Sequence, residues 1–173
     1  INTLLIETKG IEDKKIALLK AGAFTDIDQL ETAAENGRSL ERINFSNLEL
    51  EAINLSNTNL SESLFKNTYL KKAIIKNANL SDSNFTGADL SEVDLENSDL
   101  SYSNLSRTNL SKSNLRNINF TESILVGTNL SRSNLANSYF DYSNLEGANL
   151  SGTNLFKAKF YHIKLNRANF DNS

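Results

Sequence analysis

Residues 88–112 read ADLSEVDLENSDLSYSNLSRTNLSK, five copies of one pattern: a small residue, Asn or Asp, Leu, then two polar residues. Working outward, every fifth residue from 45 to 170 is apolar and large. These 26 central positions hold eighteen Leu, seven Phe and Ile75. Two places earlier stands Ala, Ser or Thr in twenty of the 26 units, and Asn or Asp lies between in eighteen. The exceptions at the small place are Ile43, Leu48, Ile53, Val93, Ile118 and Ile163.

Alternate residues of a strand face opposite ways, so the small and the large place share an inward face while the Asn between them points out. An odd period would flip that face at every unit, so the two polar residues must turn a corner and reset the direction. The chain therefore coils about an axis. A helix fails, because a five-residue period matches neither 3.6 nor 3.5 and would scatter the leucines around its surface.

Two phenylalanine series, Phe45, Phe65, Phe85 and Phe120, Phe140, Phe160, are spaced by twenty, as are Asn57, Asn77, Asn97, Asn117 and Asn137. Twenty residues per turn make a four-sided coil, with stacked rings inside and an amide ladder outside. The column Lys72, Glu92, Lys112 is expected to form an exposed ion-pair ladder. At about 4.8 Å per coil the rod is roughly 31 Å long. Such stacked units mark a solenoid.

Units such as Ala88-Asp89-Leu90-Ser91-Glu92 and Ala148-Asn149-Leu150-Ser151-Gly152 make the segment Ile43–Phe170 resemble the pentapeptide repeat family. The resemblance implies an all-β solenoid, a right-handed quadrilateral parallel β-helix. It points to no single function. Some members imitate duplex DNA and bind type II topoisomerases, protecting gyrase from inhibitors, which supplies an alternative function. Those members tend toward a strongly acidic rod, a C-terminal dimerising helix and, in some, protruding loops, whereas residues 43–173 hold thirteen acids against twelve bases in an uninterrupted repeat.

Residues 1–42 follow a different pattern. Ile16, Leu19 and Ala23 recur at helical spacing, and Thr25-Asp26-Ile27-Asp28 reads as a capping box opening a second helix through Leu30, Ala33 and Ala34, stopped at Asn36-Gly37. A helical hairpin over 1–42 is expected to cap a β-helix over 43–173, because the first coil would otherwise expose apolar side chains and open strand edges. Ile43, Leu48 and Ile53 would fill the junction.

Catalysis needs converging groups, and the pattern disperses them. The single histidine, His162, has no nucleophile paired to it. Asp89, Asp94 and Asp99 occupy the outward place of successive units and so point away from one another, unable to share a hard cation. With no cysteine there is no disulfide or thiolate metal site. The reading is no enzyme, no cofactor and no metal. A nearly neutral rod, net charge −3 for the whole chain, offers no basic stripe for nucleic acid, and no run is apolar enough for a membrane.

Departures from the pattern carry the remaining information. Leu64, Tyr69, Ile74, Ile124 and Tyr139 stand at outward places, and Tyr102, Val126, Tyr142, Phe156 and Tyr161 at turns. Tyr102 and Tyr142 share a column with Tyr139 beside the second, so these three form the expected protein-binding side of a scaffold. The apolar last coil suggests an end-to-end homodimer. Starting at Ile rather than Met, the sequence is expected to begin inside a longer gene product; the compartment stays open, with the cytoplasm favoured.

Overall fold

The computed structural model describes residues 27–173. The first expected helix, with Ile16, Leu19 and Ala23, and the capping residues Thr25 and Asp26 lie outside them. Helix α1 spans Ile27–Glu35. It ends as expected: Gly37 has φ +69°, the Gly37 N–H donates to Ala34 O and the Arg38 N–H to Ala33 O, which is a Schellman motif. Leu30, Ala33 and Ala34 are buried in one cluster with Leu40, Phe45, Leu48 and Ile53, so α1 covers the first coil. Glu31 Oε1 accepts the Asn54 N–H at 2.8 Å. One coil higher the corresponding Ile74 N–H donates to the Ile53 carbonyl, so the carboxylate stands in for a backbone acceptor of a coil that does not exist below.

From residue 40 onward the chain winds as a four-sided tube. Every bridge is parallel and joins residues twenty apart, from Asn44 to Leu64 through Asn149 to Asn169. Three N–H groups per unit bond between coils: the central residue upward (Leu90 to Asn109 O, 2.7 Å), the second turn residue upward (Glu92 to Ser111 O, 2.9 Å) and the outward residue downward (Asp89 to Thr68 O, 3.0 Å). The central side chains from Leu40 to Leu150 are all fully buried. Phe45, Phe65 and Phe85 stack at 4.8 and 4.5 Å between ring centres, and Phe120, Phe140 and Phe160 at 5.2 and 4.9 Å. The amide ladder is also present: Asn77, Asn97, Asn117 and Asn137 each donate to the asparagine twenty residues before, at 2.8 to 3.1 Å.

The corners have a specific conformation. Every residue at the second turn place from Arg42 to Asn172 has positive φ, between 50° and 72°. That is the left-handed region, which Asn and Gly tolerate best and which explains their frequency there. With the exception of Asn114, whose buried Oδ1 has no partner, the Asn or Asp before a central residue accepts the N–H two residues on, as Asn104 does from Ser106 at 3.0 Å, so the Asn-Leu-Ser grouping is an Asx turn leading into the corner. The ion-pair ladder along Lys72, Glu92 and Lys112 is not formed. Glu92 reaches Lys71 instead, at 3.6 Å, because exposed pairs differ in energy by too little to enforce the column.

The small inward place does more than fill space. Ser103, fully buried, accepts the Ser83 N–H at 3.1 Å and donates to the Leu80 carbonyl at 2.8 Å, and Ser83 does the same for Ser63 N–H and Leu60 O. Toward the C-terminal coils the bond turns local: the Ser138 hydroxyl donates to Leu135 O within its own turn. Removing Ser103's hydroxyl orphans a buried donor, whereas removing Ser138's does not. Ser103→Ala should therefore lower unfolding free energy by about 1–3 kcal/mol, and Ser138→Ala by clearly less, read from urea midpoints; equal losses would contradict the inter-coil role.

Candidate functional site

The repeat builds its own surface, and each expected site residue stands where the repeat is broken. Tyr102 and Tyr142 occupy the left-handed turn place of one corner, with φ 59° and 62°. This throws their side chains outward, and they are 57% and 56% exposed. Tyr139 holds an outward place on the adjoining side, 39% exposed, with Lys159 Nζ 4.6 Å from its ring centre. The corner is built by turns 61–62, 81–82, 101–102, 121–122, 141–142 and 161–162, in register through the twenty-residue bridges.

Tyr102 and Tyr142 share the column but do not touch. Glu122 lies between them, and the Tyr102 hydroxyl donates to its Oε1 at 3.1 Å. That hydrogen bond, then the charge of Glu122, and further the charges of Asp82 and Asp99, push the Tyr102 hydroxyl above the ordinary phenol range. Among the described residues Tyr139 makes no ring contact with either. Tyr142 instead meets two rings of the last coil: Tyr161 edge-on at 5.6 Å and His162 stacked at 5.5 Å. Tyr161 and His162 are packed at 4.0 Å. His162 stands twenty residues after Tyr142, so the register alone places the two rings one coil apart.

The other departures stay apart. Leu64, Ile74 and Ile124 are exposed singly on their sides. The aspartates of successive sides each take an amide from the coil above: Asn109 to Asp89, Asn114 to Asp94 and Asn119 to Asp99, at 3.0 to 3.1 Å. Among the described residues no three His, Asp or Glu side chains converge as metal ligands would. No helix there is long and apolar enough to cross a membrane. Glu122→Gln should bring the Tyr102 titration back down toward the usual phenol value, visible in a spectrophotometric difference titration; an unchanged curve would mean the hydroxyl does not feel that carboxylate.

The model of the pentapeptide repeats matches eight copies, in segments running from 49–87 to 133–172. No curated protein matches the chain. Among solved structures the chain is similar to the pentapeptide repeat protein Rfr23 of the cyanobacterium Cyanothece 51142, at 24% identity over 73% of this chain and 66% of that one, TM-score 0.42. It is also similar to HetL, a pentapeptide repeat protein involved in heterocyst differentiation regulation from the cyanobacterium Nostoc sp. strain PCC 7120, at 20% identity over 76% and 82%, TM-score 0.33. A third is full-length QnrB1, a plasmid-mediated fluoroquinolone resistance protein, at 17% identity over 79% and 85%, TM-score 0.33. The chain thus spans just under two thirds of Rfr23. With TM-scores this low, assignment stands on the repeat match, which covers well over half the sequence and carries with it the right hand of the quadrilateral coil. The chain belongs to the pentapeptide repeat family.

Proposed function

We propose that this chain is a non-catalytic scaffold that holds another protein against the corner carrying Tyr102 and Tyr142, with Tyr139 on the flanking side. In this proposal residues 1–42 cap the coil and residues 43–173 form the binding rod. The observation that supports it most is the exposure of Tyr102 and Tyr142, 57% and 56%, on a coil whose other large apolar side chains are mostly sealed inside. Aromatic groups fixed on a rigid backbone lose little entropy when covered, which suits recognition. Catalysis finds no support in the same surface, where the polar groups are committed to ladders and Asx turns.

Imitation of duplex DNA toward a type II topoisomerase is the alternative. One observation favours it, the row of carboxylates Asp82, Glu122 and Asp141 in the Tyr102 corner. A duplex presents two such rows, and here one corner of four carries it. A supercoiling assay with purified gyrase separates the readings: inhibition or drug protection at micromolar protein supports the mimic, and no effect supports the scaffold.

End-to-end pairing of two copies is part of the proposal, drawn from the exposed Phe156, Phe160, Tyr161 and Leu165 of the last coil. Light scattering at micromolar concentration should give twice the monomer mass, and a monomer mass would remove this element. For the scaffold itself, pull-downs from the native cell extract with wild type and with Tyr102→Ser/Tyr142→Ser protein should differ by the loss of specific partners. Identical recovery would show that the interface lies elsewhere.

A further inference from the structure

Charge is balanced along the rod and segregated around it. Between residues 59 and 144, the Tyr102 corner and its two flanking sides carry Glu62, Asp82, Asp99, Glu122 and Asp141, and no lysine or arginine. All eight lysines and arginines in that stretch stand on the other three corners. Three of them meet acids there: Lys71 pairs with Glu92, Lys76 with Asp94 and Glu96, and Arg116 with Glu96. On the Tyr102 corner and its flanking sides, among the described residues, Asp82, Asp99, Glu122 and Asp141 have no cationic partner, and in the corner column the exposed rings of Tyr102 and Tyr142 alternate with Asp82 and Glu122.

The two ends of this edge show how its middle would be filled. At the lower end Arg42 seats both guanidinium nitrogens on Glu62, at 2.9 and 3.0 Å. At the upper end the Lys159 ammonium lies over the Tyr139 ring. These are the two ways a cation is held at a protein surface, on a carboxylate and on an aromatic face. From Asp82 to Tyr142 the same receptors recur without a cation.

We infer that the edge from Asp82 to Tyr142 is a docking strip for an extended cationic segment of a partner protein, its arginine or lysine side chains lying on the tyrosine rings and between the carboxylates. This rests on the scaffold reading and supplies the chemistry of its partner. The spacing fits. Tyr102 and Tyr142 are two coils apart, about 9.6 Å, and one three-residue turn of a polyproline II segment spans about 9.3 Å and returns the side chain to the same face, so a cation at every third residue meets one ring after another. The straight column of turns without insertions lets such a segment run along the edge without detour. Nucleic acid is repelled by the same carboxylates.

The probe is a labelled peptide of Arg-Gly-Gly repeats, with Gln-Gly-Gly repeats as control, followed by fluorescence anisotropy against the full chain at low and high salt. Wild type should bind the arginine peptide and not the glutamine one, with affinity falling as salt rises. Tyr102→Ser and Tyr142→Ser should each weaken binding about three- to fivefold. Asp82→Asn/Glu122→Gln/Asp141→Asn should weaken it further and flatten the salt dependence. Glu49→Gln/Glu51→Gln/Glu146→Gln, which removes the same charge from other sides, should leave it within about twofold of wild type. Equal losses from the two acid sets, no effect of the tyrosines, or no binding at low salt would overturn the inference. The pull-down keeps the two readings apart. If extract partners are lost with the tyrosine variant but kept by the Asp82→Asn/Glu122→Gln/Asp141→Asn protein, the interface stands and the cationic occupant is wrong; if neither variant loses them, the interface itself is misplaced.

Discussion

The structure depends on a register: each coil bonds to the next at a separation of twenty residues, with three backbone bonds per five-residue unit. Those bonds run along the axis, so a slip in one unit would unseat every coil above it. The register in turn rests on the left-handed residue at each corner. Without it the odd period would carry the central side chain outward at alternate units. A positive φ costs a residue other than Gly of order 1 kcal/mol, and the fold accepts it at 23 such positions, offset by the bonds that each corner makes possible. Buried leucine and stacked phenylalanine then fill a tube whose section is already set by the backbone.

Such a coil needs its first layer finished, because the downward-pointing N–H groups there have no coil below. Helix α1 does this with side chains. Leu30, Ala33 and Ala34 cover the first coil, and Glu31 supplies an acceptor to Asn54 where a carbonyl would otherwise be. Leu48 and Ile53, large residues at the ordinarily small place, are buried at that junction in one cluster with Leu30, Ala33 and Ala34, and Ile43 packs against it. The same logic gives the surface its character. Sides built of Asn ladders are saturated with internal hydrogen bonds and have little left to offer a partner, so recognition falls to corners, where a side chain projects without serving the coil.

Much of this was legible in the sequence because the period of five and the period of twenty are separate signals, one for the units and one for the number of sides. The phenylalanine stacks and the Asn57–Asn137 ladder follow from the second directly. The buried serine hydroxyls were less legible: Ser63, Ser83 and Ser103 look like space-fillers until the direction of each N–H is known. The Lys72 column misled because long exposed side chains choose among neighbours that differ little in energy. Tyr161 and His162 joined Tyr142 through the register, while Tyr102 and Tyr139 stood apart. Total charge concealed more than it told, since acids and bases nearly equal along the rod are unequal around it, and only sorting residues by corner separates them.

The four-sided register is the claim on which the surface, the columns and the candidate site all rest, and the chain has no cysteine to interfere with a direct test. Cysteines placed at Asn109 and Asn129, one full coil apart and bridged through the backbone, should lie within disulfide reach and cross-link under mild oxidation. A pair at Asn109 and Ile124 should stay reduced under the same conditions, because those positions lie on adjacent sides. Ready cross-linking of the second pair and none of the first would mean three-sided winding and would contradict the account.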